Sequence, residues 1–332
     1  MVLRPAEPAD LPGLAELLRG RFGHPLTPEE WEWKYRRLPG EGRSWVAVDG
    51  AGRVLAHAGA LRLPARLGPG GGPAGEAGAD PGIWQLTDWA GSGEGAGLRP
   101  PLVALGRRLL ADLPGPGDAP WIFGFPSERH LRLGERVFGY RRLPAIMPRA
   151  GELPAGEGGA ATAGAPVETS DHCGDWGEAA WAACGVPSVR RSAAFLNWRY
   201  HARPGRYYRF YRLRPAGGAP TEGLAVFAFV GRLARGAELW LPPAPGVSAA
   251  PAELWEPALR AVARDLAAAG LERWELWPPP AGSGLEPLLA GLGLRSAGEP
   301  VPMGCRGRGG ETSGPSPADP RFHYSMGDFD LV

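Results

Sequence analysis

The 332-residue chain is short of lysine, asparagine and cysteine, and neither sign of charge is in excess. Lys34 is the single lysine and Asn197 the single asparagine, whereas 52 Gly and 38 Pro are present. This bias is typical of GC-rich coding, so one isolated glycine carries little information. The 36 basic and 35 acidic side chains leave a net charge of +1, which supplies no field to attract nucleic acid or an anionic membrane. We therefore expect neither as a partner.

Signals for a metal site or a membrane span are also missing. The three cysteines form no CxxC pair and the six histidines are scattered, so no metal-ligand spacing arises. No apolar run reaches the roughly 18 residues of a membrane span, and no signal peptide is visible at the N-terminus. These features predict a globular, cytoplasmic protein without a metal cofactor.

The sequence does contain an internal repeat. Residues 33–40 (WKYRRLPG) and 198–205 (WRYHARPG) match at a constant offset of 165, almost half of the chain. Each copy closes a short helical pattern with an N-cap residue, Thr27 in the first and Ser192 in the second, and each is followed by a strand pattern. Two domains are also expected from length, because domains commonly hold about 100–200 residues.

Two further landmarks recur in the same order. A helix followed by a strand spans 101–126 and again 252–278. A short helix, a glycine suited to the left-handed conformation and an apolar residue follow at 135–142 and again at 289–296. Chance in a biased composition would explain one such match, but three ordered matches indicate a tandem duplication.

Low-complexity segments divide the chain. The Gly/Ala/Pro-rich stretch 150–166 has little to bury and is interpreted as a linker. It separates an N-terminal domain, 1–149, from a C-terminal domain, 167–305, and a flexible stretch with a tail occupies 306–332. The aromatic residues of the tail favour its docking on the body of the protein. Helices interleaved with hairpin-linked strands predict an α/β fold, each half being a mixed, mostly antiparallel sheet flanked by helices.

Several strings, taken in order, carry a family resemblance. The opening VLRPAEPADLPGLAELLR, the central LTDWAGSGEGAGLRPPLV and the later GERVFGY resemble the first strand and helix, the acyl-CoA loop and the closing helix of the GNAT (N-acetyltransferase) superfamily. The WKY and WRY segments and the final GDFD are similar to a bacterial tandem-GNAT branch. The resemblance implies two tandem GNAT-like domains.

The resemblance places an acyl-CoA site at a glycine loop in the first half. A glycine-rich turn at a helix N-terminus lets backbone N–H groups approach a pyrophosphate. The implied cofactor-binding residues are Trp89, Ala90, Gly95, Ala96, Gly97, Leu98 and Arg99. Two positions depart from the family pattern: Glu94 stands in place of Arg or Gln, and Arg99 in place of Gly or Ala. A carboxylate there would repel the pyrophosphate by about 1 kcal/mol. A plain glycine-rich connection is the alternative.

The second half has no such loop. Its corresponding segment, PPAPGVSAAPAEL, is rich in proline, which lacks the N–H donor that a phosphate cradle requires. We expect this half to bind no CoA and to serve as a scaffold or a substrate wall.

The resemblance also implies direct acyl transfer to an amine, with a carboxylate as the base. Asp88, on the strand before the loop, and Glu128, after the strand WIFGFP, are the catalytic candidates. The alternatives are a strand-end hydrogen bond for Asp88 and helix capping with Ser127 for Glu128. The tyrosine that the family commonly places four residues before its closing glycine is missing, because Glu135 stands there.

Weaker candidates are His130, beside Glu128, and the tail carboxylates Asp328 and Asp330. The repeat contains four aromatic residues at equivalent positions: Trp33, Tyr35, Trp198 and Tyr200. We expect them to serve packing, because both halves carry them and one half lacks the glycine loop.

The sequence thus predicts an N-acyltransferase that uses acetyl-CoA, or another acyl-CoA, and a small-molecule amine acceptor, as a monomer or a homodimer. The alternative is a degenerate GNAT-fold protein that binds or regulates without catalysis. Gly95 and Gly97 favour the enzyme, whereas Glu94 and Arg99 favour the alternative.

Overall fold

A computed structural model describes most of the chain, namely residues 1–67, 82–93, 101–114, 121–154, 166–218, 220–243, 250–279, 283–307 and 322–329. The chain forms two compact units, and neither is one continuous stretch of sequence. Unit 1 comprises Met1–Ala65, Ala79–Pro144 and Pro302–Gly314, and unit 2 comprises Arg66–Gly78, Ala145–Val301 and Pro315–Val332.

In the first half, from β1 to β6, strands and helices follow one another in the order that the sequence predicts. The strands are β1 (Val2–Pro5), β2 (Glu41–Val48), β3 (Val54–Arg66), β4 (Gly82–Gly91), β5 (Trp121–Gly124), β6 (Arg141–Ile146), β7 (Arg149–Glu152), β8 (Val167–Ser170), β9 (Ser188–Val189), β10 (Tyr208–Leu213), β11 (Gly223–Val230), β12 (Leu233–Trp240), β13 (Arg273–Leu276), β14 (Arg295–Ser296) and β15 (Val301–Gly307). The helices are α1 (Leu11–Phe22), α2 (Pro28–Tyr35), α3 (Pro101–Asp112), α4 (Glu128–Leu133), α5 (Asp175–Cys184), α6 (Ala193–Leu196), α7 (Pro251–Ala268) and α8 (Glu286–Gly291).

The predicted helix signals of the repeat are confirmed. Thr27 caps α2 and Ser192 caps α6, each through its side-chain oxygen. The two predicted turn glycines, Gly139 and Gly293, have φ of 69° and 80°, in the left-handed region. None of the helices in the described residues combines the length and the apolar character that a membrane span requires.

The sheet of unit 1 runs in the order β1-β2-β3-β4-β5-β15-β6. Its first four strands pair antiparallel, β4 and β5 pair parallel, and β5 and β15 pair antiparallel. The spacing of Leu102, Leu105 and Leu109 puts them on one face of α3, and all three pack in one buried cluster with Trp84 of β4. Burial of this face fixes α3 on the sheet.

The sheet of unit 2 repeats this arrangement, strand for strand, in the order β8-β10-β11-β12-β13-β7-β14. Among the described strands of this sheet, β12 and β13 pair parallel and all other neighbours pair antiparallel. Trp255, Leu259 and Val262 of α7 share a buried cluster with Trp274 of β13. Two mixed, mostly antiparallel sheets flanked by helices confirm the predicted fold class.

The sixth position of each sheet holds a strand from a distant part of the sequence. β15 lies between β5 and β6 in unit 1, and β7 lies between β13 and β14 in unit 2. Two expected domain boundaries therefore need correction: the predicted linker, 150–166, begins inside β7, and the predicted domain 167–305 contributes β15 to the other unit. The physical reason is that each strand completes a ladder of backbone hydrogen bonds that local sequence patterns do not reveal. Residues 155–165 of that linker lie outside the described residues.

Candidate active site

The end of β4 extends beyond its partner β5. Parallel pairing joins Ile83–Leu86 to Trp121–Gly124 and stops there, while β4 continues to Gly91. Within the described part of the chain, the ladder between β4 and β5 therefore ends before residues 87–91 of β4. We call this stretch beyond β5 the open edge of β4.

Asp88 lies on this open stretch in an unusual backbone conformation. Its φ is +54°, which among the described residues makes it the one non-glycine residue with positive φ. The pairing of β4 with β3 shifts register nearby, between His57 and Gly59, and so forms a β-bulge. In a residue with a side chain, this conformation costs about 1 kcal/mol or more. Strained residues of this kind are often found at functional sites. Bulges beside active sites re-aim a side chain, and Asp88 is the residue re-aimed here.

A line of hydrogen bonds ends at the backbone of Asp88. Nδ1 of His57 lies 2.8 Å from the Asp88 carbonyl oxygen, and Nε2 lies 2.9 Å from Ser44 Oγ. Ser44 Oγ also accepts a hydrogen bond from Trp31 Nε1 at 3.1 Å. Burial lowers the pKa of His57, although the neighbouring Asp88 opposes the change. His57 is therefore a neutral imidazole at physiological pH.

The carboxylate of Asp88 is held by two residues of α2. Lys34 Nζ donates to Oδ2 at 2.8 Å, and the Tyr35 hydroxyl donates to the same oxygen at 2.6 Å. Gly59 makes this approach possible, because a Cβ there would overlap the Tyr35 hydroxyl. The side chain of Lys34 is 6% exposed and that of Asp88 is 14% exposed, so the carboxylate is the more accessible partner.

This geometry leaves one carboxylate oxygen available. Among the described residues, no group hydrogen-bonds to Oδ1 of Asp88, whereas Oδ2 accepts from both Lys34 and Tyr35. An ionised carboxylate can accept several hydrogen bonds, so Oδ1 can take a proton from a ligand on the open edge. The arrangement suits a fixed general base.

The structure places two of the predicted cofactor-binding residues beside Asp88, Trp89 half-buried and Ala90 buried. The Trp89 indole donates to the carbonyl oxygen of Gly59 at 2.9 Å, and a Cβ on Gly106 would lie 2.7 Å from its ring. Ala90 is 2% exposed and pairs with His57 across the ladder. Ala90 can therefore meet a ligand only through its main chain, whereas part of the Trp89 side chain stays exposed. Five more predicted residues lie outside the described part: Gly95, Ala96, Gly97, Leu98 and Arg99.

Arg21 is a cation that the sequence analysis did not identify at this site. Its Nε donates to the carbonyl oxygen of Gly91 at 2.7 Å, which places an exposed guanidinium at the last residue of β4. The predicted loop begins three residues later, at Glu94. Arg21 belongs to α1, and nothing in its local sequence connects it to β4.

Glu128, the second catalytic candidate, lies in a separate ion-pair cluster. Arg142 contacts Glu128 at 2.6 Å and Glu135 at 3.2 Å, with both glutamates well exposed. Exposed pairs of this kind contribute about 0–1 kcal/mol. Ser127 caps α4 and accepts from His130 N at 3.4 Å, as the capping alternative predicts. Glu128 and Asp88 are thus held by different partners.

Unit 2 carries a counterpart of the Tyr35–Asp88 pair. β12 pairs with β13 as far as Gly236 but itself continues to Trp240, and it too has a register shift against β11. Glu238 lies on this continuation. The Tyr200 hydroxyl donates to its Oε1 at 2.5 Å, and the Trp240 indole donates to its Oε2 at 2.7 Å. Tyr200 stands at the same offset of 165 from Tyr35 as the rest of the repeat.

The C-terminal tail covers this counterpart. A Cβ on Gly327 would overlap the Tyr200 hydroxyl, so the tail backbone lies directly against it. Arg191 donates to Glu238 at 2.8 Å and to Asp328 at 2.8 Å, and all three side chains are 0% exposed. Burial raises the pKa of Asp328; Arg191 opposes the rise and Glu238 adds to it. The predicted docking of the tail is confirmed, while Asp330 lies outside the described residues.

The four aromatic residues of the repeat are buried, in agreement with the packing role predicted for them: Trp33, Tyr35, Trp198 and Tyr200. Sequence reasoning missed the carboxylate partners of the two tyrosines. The available signal was an acidic residue near the end of the same strand in each half, Asp88 on β4 and Glu238 on β12. In the described residues, no group of three or more His, Cys, Asp or Glu side chains could hold a metal ion.

Comparisons with known proteins identify the fold. No protein-family model matches the chain, and no curated protein sequence matches it. A GCN5-related N-acetyltransferase from Anabaena variabilis superposes with a TM-score of 0.56 at 13% identity, over 92% of this chain and 72% of that one. The corresponding enzyme of Sphaerobacter thermophilus gives 0.53 at 17% identity, over 93% and 96%.

A third neighbour shares the two-unit arrangement. It is a tandem GNAT protein from the clavulanic acid biosynthesis pathway, with a TM-score of 0.55 at 14% identity over 94% of this chain and 99% of that one. At these identities the likeness shows the fold. The chain has the tandem GNAT fold that the sequence predicts.

Proposed function

We propose that unit 1 of this tandem GNAT fold is an N-acyltransferase that moves an acyl group from acetyl-CoA, or another acyl-CoA, to a small-molecule amine. The observation that carries the proposal is Asp88: a carboxylate with one unpartnered oxygen, on an open strand edge, in a strained conformation that three residues hold. A catalytic carboxylate needs a fixed position and access to the reacting proton. Asp88 has both.

The residues at the site suit a direct transfer. The amine nitrogen attacks the thioester carbonyl, the N–C bond forms and the C–S bond breaks. Oδ1 of Asp88 takes the proton that the nitrogen loses, directly or through one water molecule. Lys34 and Tyr35 hold Oδ2, so Oδ1 is the oxygen left to accept the proton. The leaving thiolate takes a proton from solvent, because Glu135 stands where a tyrosine donor is expected.

Parts of the site fit the CoA moiety and one part does not. The main chain of Trp89 and Ala90 lines the open edge, and the Arg21 guanidinium at Gly91 adds positive charge suited to a pyrophosphate. Glu94, which follows by sequence position alone, carries a charge unsuited to a pyrophosphate. We assign Gly95, Ala96, Gly97, Leu98 and Arg99 to the pyrophosphate by sequence position alone.

A degenerate, non-catalytic binding or regulatory protein is the second candidate. This candidate is favoured because the Asp88 carboxylate already accepts hydrogen bonds from Lys34 and Tyr35 through Oδ2. The covered pair Tyr200–Glu238 shows that such a contact also occurs where no ligand can reach it.

Ligand binding and thiol release separate the two candidates. Thermal unfolding is measured with acetyl-, succinyl- and longer acyl-CoA at about 100 times the dissociation constant, where binding adds about 2.7 kcal/mol. Gly95→Asp should abolish the shift. The matched control is Gly50→Asp, since Gly50 lies in an exposed turn and a Cβ there has no atom within 4 Å. A shift that survives Gly95→Asp would place the CoA site elsewhere.

Turnover is followed as free thiol released from acetyl-CoA with a panel of amino sugars, amino acids and polyamines. Amine-dependent release supports the transferase. A thermal shift without release under any amine supports the binding protein, and the absence of a shift with every acyl-CoA contradicts the proposed enzyme.

A further inference from the structure

Unit 1 contains a buried polar line that the proposed reaction does not use directly. Trp31, Ser44 and His57 come from α2, β2 and β3, and His57 and Ser44 are 0% and 8% exposed. The line meets the site at two residues. The His57 side chain lies 2.8 Å from the Asp88 carbonyl oxygen, and the rings of Trp31 and His57 lie 6.3 Å and 5.9 Å from the Tyr35 ring.

Donors and acceptors along the line allow one arrangement. The Trp31 indole can only donate, and the Asp88 carbonyl can only accept. Ser44 Oγ therefore accepts from Trp31 and donates its single hydrogen to Nε2 of His57, while Nδ1–H donates to Asp88. With this arrangement every polar group in the line is satisfied, as buried groups need to be.

A charged His57 would break the arrangement. A proton on Nε2 would point at Ser44 Oγ, whose own hydrogen would then need another acceptor. The charged or titratable groups around the imidazole are the Asp88 and Lys34 side chains and the Tyr35 ring, 5.9 Å away. Lys34 and Tyr35 both donate hydrogen bonds to the Asp88 carboxylate. The imidazole of His57 therefore interacts with Asp88 by donating from Nδ1 to its main-chain carbonyl oxygen.

The carbonyl that His57 binds belongs to the strained residue. A left-handed Asp88 with a buried, unpaired carbonyl would bear both the conformational cost and the cost of lost hydration. The hydrogen bond from His57 supplies a partner for the carbonyl and so removes the cost of lost hydration. It thereby favours the left-handed conformation of Asp88 over an extended strand. An extended strand would turn the Asp88 side chain away from Lys34 and Tyr35.

We infer that His57, held by Ser44 and Trp31, is a positioning residue that locks the Asp88 main chain in the bulge so that its carboxylate stays fixed against Lys34 and Tyr35, with Oδ1 left to accept a proton. The inference rests on the proposed function, because it assigns His57 a role in aligning the base. His57 does not touch the reacting atoms, so it is not a catalytic residue.

Two substitutions divide the line at His57. The amide nitrogen of His57→Asn can occupy the place of Nδ1 and still donate to Asp88, whereas the amide of His57→Gln lies near the place of Nε2 and reaches only Ser44. We expect His57→Asn to retain most of the wild-type kcat. His57→Gln should lower kcat about tenfold, the change that one lost buried hydrogen bond produces, with KM for acetyl-CoA unchanged. Equal kcat values in the two variants, or a rise in KM alone, would overturn the inference.

A spectroscopic measurement on the wild-type protein needs neither folded variants nor activity. Nitrogen-15 NMR of the histidine side chains at neutral pH should show His57 neutral, with the proton on Nδ1 and not on Nε2. The opposite tautomer, or an imidazolium, contradicts the inference. If no acyl transfer is found but this tautomer is present, the proposed function fails while the positioning of Asp88 stands.

Discussion

The two units place a tyrosine and a carboxylate at the same point of the same sheet, but only one pair is accessible. In unit 1, Asp88 lies on the part of β4 that extends beyond β5, and its side chain is 14% exposed. In unit 2, Glu238 is fully buried under the tail. Since the tyrosine contact persists where no ligand can reach it, it is part of the structure of the bulged strand. The two tyrosine–carboxylate pairs therefore differ in the exposure of the carboxylate to solvent, and this exposure distinguishes the candidate active site of unit 1 from its counterpart in unit 2.

The charges around the two pairs also differ. In unit 1, Lys34 contacts the carboxylate of Asp88. In unit 2, Arg191 contacts two carboxylates, Glu238 and Asp328, and all three side chains are buried. Removal of Arg191 therefore takes an ion-pair partner from two carboxylates at once, and this difference can be measured.

The largest expected effect is that of removing each cation. Arg191→Met removes an ion-pair partner from two buried carboxylates and should lower the free energy of unfolding by about 3–5 kcal/mol. Lys34→Met leaves one partly accessible carboxylate that still binds Tyr35, and should cost less. Urea unfolding of both variants measures the difference. Equal losses, or a larger loss for Lys34→Met, would show that accessibility does not separate the two clusters.

The next effect concerns activity. Asp88→Asn should reduce amine-dependent thiol release about 100-fold, the contribution expected of a positioned base. Glu238→Gln, the matched change in the covered copy, should lower stability and leave kcat of the folded fraction unchanged. Comparable losses of kcat would assign both pairs to structure alone.

The third effect is a pH dependence from unit 2. Burial and the neighbouring Arg191 lower the pKa of His323 from 6.5 to about 3. Below pH 6.5, His323 therefore binds a proton in the unfolded chain but stays neutral in the folded chain. The free energy of unfolding consequently decreases as the pH falls toward 3. At pH 5 this amounts to about 2 kcal/mol. In His323→Leu, the decrease in the free energy of unfolding between pH 7 and pH 5 should be smaller by about this amount. His24→Leu replaces an exposed histidine and is the control for the substitution itself.

The smallest effect compares the hydroxyl groups. Tyr35→Phe and Tyr200→Phe each remove one hydrogen bond from a carboxylate that keeps another partner, and each should cost about 1–2 kcal/mol. Only Tyr35→Phe should also alter the pH profile of thiol release, because only Asp88 faces the open edge. A change of profile in Tyr200→Phe would link the covered copy to the reaction.

Much of the fold was predictable because its signals are local. Thr27 and Ser192 mark helix starts by their side-chain chemistry, Gly139 and Gly293 mark helix ends by their backbone freedom, and apolar spacing marks α3 and α7. The repeat at the offset of 165 then predicted two similar units. The positions of β7 and β15 were not predictable, because strand pairing depends on hydrogen bonds between residues far apart in sequence.

Half of the candidate site was predictable, for the same reason. Asp88 was identified by its place before the loop. Its partners Lys34 and His57 were not, since α2 and β3 reach Asp88 only in the folded sheet. Tyr35 was noticed as part of the repeat, but a packing role was the simplest interpretation of a buried aromatic ring.

The exchanged strands also determine when unit 1 can be completed during synthesis. The ribosome releases a chain from its N-terminus, so β1 to β6 emerge early while the place between β5 and β6 stays empty. β15, at Val301–Gly307, fills it only after all of unit 2 up to β14 has been made. Until then unit 1 presents two unpaired strand edges, which are sites of aggregation and of chaperone binding. The first unit to be synthesised is thus among the last to close its sheet, and newly made chains should depend on protection throughout translation.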